Sequence, residues 1–161
     1  MIYKIDITLT TTFVGSRKLN SDNIRNIARI NDADPKLFTK RIRELCYKYA
    51  TEELGIWDYQ YDSIKIDGVL KVNPEDDHTK IHIRKFYSAE THSEKQESFE
   101  SYPVGTRMSF SVYVTPESHL TKDLINQMFT YIGKYDGISQ FGINWGYGKY
   151  DITNITEAAN V

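Results

Sequence analysis

Cysteine is nearly absent. Cys46 is the only one in 161 residues, so an intrachain disulfide and a Cys₄ or Cys₂His₂ zinc site are both excluded. Its position on the apolar side of a helical pattern reads as a buried structural thiol. No apolar run approaches the ~20 residues that span a bilayer. The first residues, MIYKIDITLT, alternate polar and apolar side chains instead of forming a signal peptide's continuous apolar stretch, so the expectation is a cytoplasmic protein without membrane contact. A large excess of positive charge is also missing. The net charge of −2 argues against a generally basic nucleic-acid binder.

Catalytic signatures are missing too. HExxH, GxSxG, a Walker A loop and CxxC do not occur. GINWGYG is not GxGxxG, and its glycines precede a strand pattern, so no dinucleotide site is supported. His78 and His82 are four apart, but in a strand that spacing separates them by ~13 Å, too far for joint metal ligation. Glu75-Asp76-Asp77 with Asp67 reads as a polar hairpin tip rather than a metal site. His119 and Asp123 read as ordinary helix-start chemistry. No cofactor, no metal and no catalytic residue is expected.

Aromatic residues are plentiful at 13%, and the hydrophobic share of 40% suffices for a core, so the whole chain, 1–161, is expected to form a single domain. Ile5, Ile7, Leu9, Thr11 and Phe13 alternate with polar partners, predicting a long first strand that ends at Gly15. A short helix follows, capped by Ser21 and reaching about Ile30. Asp34 and Pro35 then open a longer helix, which buries Leu37, Phe38, Ile42, Leu45, Cys46 and Tyr49 and stops near Leu54. Lys40, Arg41 and Lys48 form its solvated face. Strands are predicted over 63–72, about 81–86, and Met108–Val114. Thr121, or Ser118, caps a second long helix through Ile132, and Lys149–Ile155 is the closing strand. Residues 88–102, polar and acidic, read as a flexible loop, and 157–161 as a tail. The order is that of a ferredoxin-like α+β fold, with an antiparallel sheet and two main helices on one face.

Charge is unevenly spread. Residues 17–48 carry nine Lys/Arg against four acids, whereas 90–100 holds Glu90, Glu94, Glu97 and Glu100 against Lys95. Glycine is concentrated as well. Five of nine fall in YIGKYDGISQFGINWGYGKYDI: Gly133, Gly137, Gly142, Gly146 and Gly148. Glycines allow backbone N–H groups to approach an anion, and neighbouring rings can stack on unpaired bases. The residues expected on a phosphate backbone are Arg17, Lys18, Lys134 and Lys149; those expected to stack are Phe141, Trp145 and Tyr147.

This C-terminal stretch resembles the signature of the RAMP superfamily, CRISPR-associated RNA-binding proteins with a ferredoxin-like core and a glycine-rich loop before the last strand. It is also similar to small phage and prophage proteins, through Gly133, Gly137-Ile138-Ser139 and Gly146-Tyr147-Gly148-Lys149-Tyr150. TFVGSRKLNSD, KIDGVL and YPVGTRMSFSVYV extend the likeness along the chain. The resemblance implies a RAMP-like protein of phage or prophage origin in host cytoplasm. RAMP nucleases typically need a histidine in or after the first helical region, and residues 16–50 contain none. That favours a non-catalytic binder of single-stranded DNA or RNA, self-associating in side-by-side copies. Two other readings compete. One is an anti-defence protein that binds a host immune complex, using the acidic 90–100 segment as a nucleic-acid mimic. The other is a ribonuclease with His82 or His92 as acid/base.

Overall fold

A computed structural model describes residues 1–18, 35–66, 70–138 and 146–158. The short helix expected over 21–30 lies outside them. The protein is an α+β fold with antiparallel sheets and two described α-helices. No helix among the described residues is long and apolar enough to cross a membrane.

Strand β1 (Ile2–Leu9) occupies the middle of the larger sheet because its odd residues are apolar. Tyr3, Ile5, Ile7 and Leu9 are all buried, while Lys4 is exposed. β1 pairs with β7 (Arg107–Val114) on one side and β8 (Tyr150–Ala158) on the other. β3 (Ile64–Ile66) and the two-residue β4 (Lys71–Val72) both pair with β7, giving the order β3-β7-β1-β8. The strand expected over 63–72 is therefore two short pieces on one partner, with residues 67–69 outside the description.

Helix α1 (Pro35–Lys48) continues into a π-helical turn, Tyr49–Glu53, closed by the Leu54 N–H donating to Tyr49 O at 3.0 Å. Gly55 follows with φ +64°, the left-handed exit that a helix C-terminus favours. Helix α2 (Lys122–Tyr131) starts as its sequence predicts, with Thr121 Oγ1 accepting from the Leu124 N–H at 3.2 Å. Ile42, Cys46 and Ala50 from the first helical segment join Ile125, Met128 and Phe129 from the second. They share one core with the inward residues of β1 and β7. Burying side chains of this size contributes about 1.5–3 kcal/mol each.

Two expectations are corrected. The first strand does not continue to Gly15. It breaks after Leu9, and the chain re-forms as β2 (Phe13–Lys18) in a separate three-stranded sheet, β2-β6-β5. Residues 88–102 are not a loop either. Ser93–Tyr102 form β6, which joins β5 (Lys80–Ser88) through a tight hairpin. Their polar side chains hide the strand: residues 93–96 are exposed whichever way they point, and only Phe99–Tyr102 are buried. The two sheets bend apart where Leu9 O accepts from the Gly105 N–H (2.9 Å) and Leu9 N–H donates to Thr106 O (3.0 Å). Beyond that bend Phe13 and Tyr102 lie opposite each other, both buried, with ring centroids 6.4 Å apart.

Candidate nucleic-acid interface

The site is built on the exit of α2. The helix ends in a second π-helical turn, Ile132–Asp136, closed by the Gly137 N–H donating to Ile132 O at 2.7 Å. Gly133 lies under the ring of Tyr150: a Cβ there would stand 2.6 Å from Tyr150 Cε2 and 2.7 Å from its carbonyl oxygen. Tyr150 itself is fixed, buried, with its hydroxyl donating to Phe129 O at 2.8 Å. Gly137 has φ +76° and ψ 169°, and a Cβ on it would meet Tyr147 O at 2.5 Å. At both positions the missing side chain is space taken by the protein's own atoms.

The returning segment, 146–149, is tied down through its backbone. Gly148 N–H donates to Thr12 O (2.8 Å), and Gly148 O accepts from Ile138 N–H (2.9 Å). Lys149 N–H donates to Thr11 Oγ1 (2.8 Å), and Lys149 O accepts from Thr10 N–H (2.8 Å). The amides of Gly137, Ile138, Gly148 and Lys149 thus serve the fold. Gly146 differs. Its φ is +71°, and the nearest atom to a Cβ there is Lys149 Cε at 4.0 Å, so the backbone is open on that side.

Among the remaining residues singled out from the sequence, Lys134 is exposed on the exit turn, and Tyr147 and Lys149 are half-buried on the returning segment. The contact between Gly137 and Tyr147 O brings these two segments together. Arg17 and Lys18 lie on β2, which starts where Thr12 O holds Gly148, but Arg17 is five residues further on, up to about 17 Å along a strand. The structure describes their backbone only. Phe141, Gly142 and Trp145 lie outside the described residues.

Three contributors were not among the residues expected to bind nucleic acid. His82, on β5, has its Nε2 2.9 Å from the Tyr147 hydroxyl, and the two rings meet edge to face at 5.0 Å. This contact fastens the returning segment to the second sheet. Arg41 is half-buried rather than part of a freely solvated face. Its Nη2 donates to Gly137 O (3.2 Å) and Asp136 O (3.5 Å). Burial lowers the pKa of its guanidinium and the Asp136 carboxylate works in the opposite direction. Tyr135 is exposed on the exit turn and stacks on Tyr131. Tyr131 and Tyr135 are four apart at a helix end, a spacing that puts two rings on one side and was readable in the sequence.

The acidic segments are used internally. Asp76 Oδ2 accepts from Arg107 Nε (2.7 Å) and from its N–H (3.0 Å), Glu75 Oε2 accepts from Arg107 Nη2 (3.1 Å), and Asp77 Oδ1 accepts from the Tyr102 hydroxyl (2.6 Å). Among the described residues no group of three or more His, Cys, Asp or Glu could hold a metal ion. Glu94, Glu97 and Glu100 fall on β6, where Glu94 is exposed and Glu100 is buried, so these two share no acidic surface. A groove of about 710 Å³ lies on the far face of the larger sheet, lined by residues including Lys4, Asp6, Lys71, Arg107 and Ser109, away from the glycine segments.

Comparison with known proteins identifies a shared architecture. No family model matches the chain, and no curated protein does. In shape it is similar to one chain of a solved structure. That chain belongs to a cryo-EM structure of type III-B Cmr-beta bound to cognate target RNA, with a TM-score of 0.64 and 12% identity. The match covers 96% of this chain and 59% of that one, so this protein spans about 59% of its neighbour's length. At such identity the likeness is one of fold.

Proposed function

We propose that this protein is a non-catalytic, RAMP-like nucleic-acid-binding protein of phage or prophage origin that takes single-stranded DNA or RNA. The observation that carries the reading is the junction of the α2 exit with the 146–149 segment. There the open backbone of Gly146 lies beside Lys149 and Tyr147, and Lys134 stands exposed on the adjoining turn. Cations reach phosphate, a ring reaches a base, and the backbone at Gly146 lets either come close. The strand order β3-β7-β1-β8, with one helix between β2 and β3 and the other between β7 and β8, supports the ferredoxin-like assignment. The neighbour's association with target RNA supports the ligand class.

The test is titration of a labelled single strand of about 40 nucleotides, long enough for several sites, at salt from about 50 to 200 mM. Binding that weakens steeply with salt is expected. Lys134→Ala and Lys149→Ala should each lower the slope of log affinity against log salt by about one phosphate contact. The particle mass with and without the strand reads side-by-side assembly. Absence of binding at the lowest salt refutes the reading, and strand cleavage refutes its non-catalytic part.

A further inference from the structure

We propose that Tyr135 is a pre-built stacking platform for one unpaired base, with Lys134 taking the adjacent phosphate. This rests on the nucleic-acid reading above and specifies how that site holds its ligand. Tyr49, Tyr131 and Tyr135 form a column of nearly parallel rings. Tyr49 and Tyr131 are 5.6 Å apart at 17°, and Tyr131 and Tyr135 are 6.3 Å apart at 21°. Both distances lie in the range of offset stacking. The column runs from the core outward: Tyr49 is 6% exposed, Tyr131 is half-buried, and Tyr135 is 54% exposed.

A single exposed tyrosine would mean nothing. This one is held from behind at several points. The Tyr49 hydroxyl donates to the Asp136 carboxylate, one residue beyond Tyr135. Arg41 holds the carbonyls of Asp136 and Gly137, and Gly137 N–H closes the turn on Ile132 O. A ring whose backbone and neighbour are already fixed gives up little entropy when a base lands on it.

The charges suit a nucleotide. Lys134 Nζ lies 5.4 Å from the Tyr135 centroid, and Lys48 Nζ 5.5 Å from the Tyr49 centroid at the inner end. Lys134 is on a flexible, exposed stem. An arriving base replaces it over the ring and leaves its ammonium free for the phosphate next door. Two carboxylates act on the column: Asp136, which is engaged with Tyr49 and faces Arg41's charge, and Glu53 at the inner, Tyr49 end. A flat group bearing negative charge on its linker satisfies every feature; a proline-rich peptide would satisfy the ring and leave Lys134 without a counterpart.

The experiment compares wild type, Tyr135→Ala, Tyr135→Leu and Tyr135→Phe on a 5′-labelled single strand and on an abasic strand of equal length. Melting curves confirm folding, and Tyr135→Leu keeps the apolar bulk if Tyr135→Ala loosens the turn. Loss of one base stack predicts affinity weaker by about 5- to 150-fold for both Ala and Leu variants. Tyr135→Phe should bind as wild type does. On the abasic strand all four should bind alike. Equal affinity of wild type and both non-aromatic variants for the natural strand overturns the platform and leaves the nucleic-acid reading standing. A wild type that binds no strand, or that takes a proline-rich peptide there instead, overturns both.

Discussion

Replacing Gly137 by alanine tests the site's construction more sharply than any change of charge. Two penalties apply at that position. A φ of +76° with ψ 169° is a region that essentially only glycine enters, and holding another residue there costs about 1–3 kcal/mol. The added Cβ would also lie 2.5 Å from Tyr147 O and 2.9 Å from Gly148 C. Those atoms are backbone, pinned by the Gly148–Thr12 and Ile138–Gly148 hydrogen bonds, so they cannot swing aside, and overpacking of this kind adds about 1–3 kcal/mol. The stiffer unfolded chain returns about 0.4–1 kcal/mol. A net loss of about 1–5 kcal/mol remains, or roughly 2–20 °C in Tm for a chain of this size. Gly55→Ala is the control. Its φ is +64°, but a Cβ there meets nothing within 4 Å, so left-handed strain alone should cost about 1 kcal/mol. Urea unfolding followed by far-UV circular dichroism measures both. If Gly137→Ala is no worse than Gly55→Ala, the close packing of the two segments at the site is wrong.

Ile125, fully buried beneath the sheet, should lose about 2–5 kcal/mol on substitution by alanine, read from the same urea curves with an unchanged m-value. Cys46 is fully buried, and burial pushes its thiol well above the usual range; it should be inert to a thiol-specific reagent in the native protein and react stoichiometrically once urea unfolds the chain. The hydrogen bonds and charge of Arg107 hold the Asp76 carboxyl below its ordinary pKa. Its contribution is therefore complete above the unfolded value and disappears as pH falls through the lower folded one. The Tm gap between wild type and Asp76→Asn should be present at neutral pH and close under strong acid; a gap that widens as pH falls would refute the linkage.

Legibility of the fold followed the sharpness of local patterning. β1 and β7 each bury one face, so alternation marks them, and α2 carries its own start signal in Thr121; in β8 a bulge at Thr153 interrupts the alternation. β6 has no such mark. SEKQESFESY becomes a strand because β5 and β2 supply hydrogen-bond partners on both sides, and no local pattern encodes partners 13 or 87 residues away, as Arg84 lies opposite Glu97 and Val14 opposite Ser101. The break after Leu9 was hidden for the same reason: Thr11 and Phe13 keep the alternation of β1, while residues 10–12 carry the chain past the distant Pro103–Thr106 turn, which bonds Leu9, into another sheet.

The site divides along the same line. Composition alone determined that no intrachain disulfide and no Cys₄ or Cys₂His₂ zinc centre exists, and clustering of glycines near the C-terminus marked where the backbone is unusual. Only the tertiary structure decided what each glycine is for. Gly133 and Gly137 admit Tyr150 and the 147–148 backbone, whereas Gly146 faces open space. It also decided that Tyr131 and Tyr135 join a stacked column, because Tyr49 arrives from a different helical segment. A residue type sets which conformations and contacts are possible; which of them is used depends on the atoms that folding brings from elsewhere in the chain.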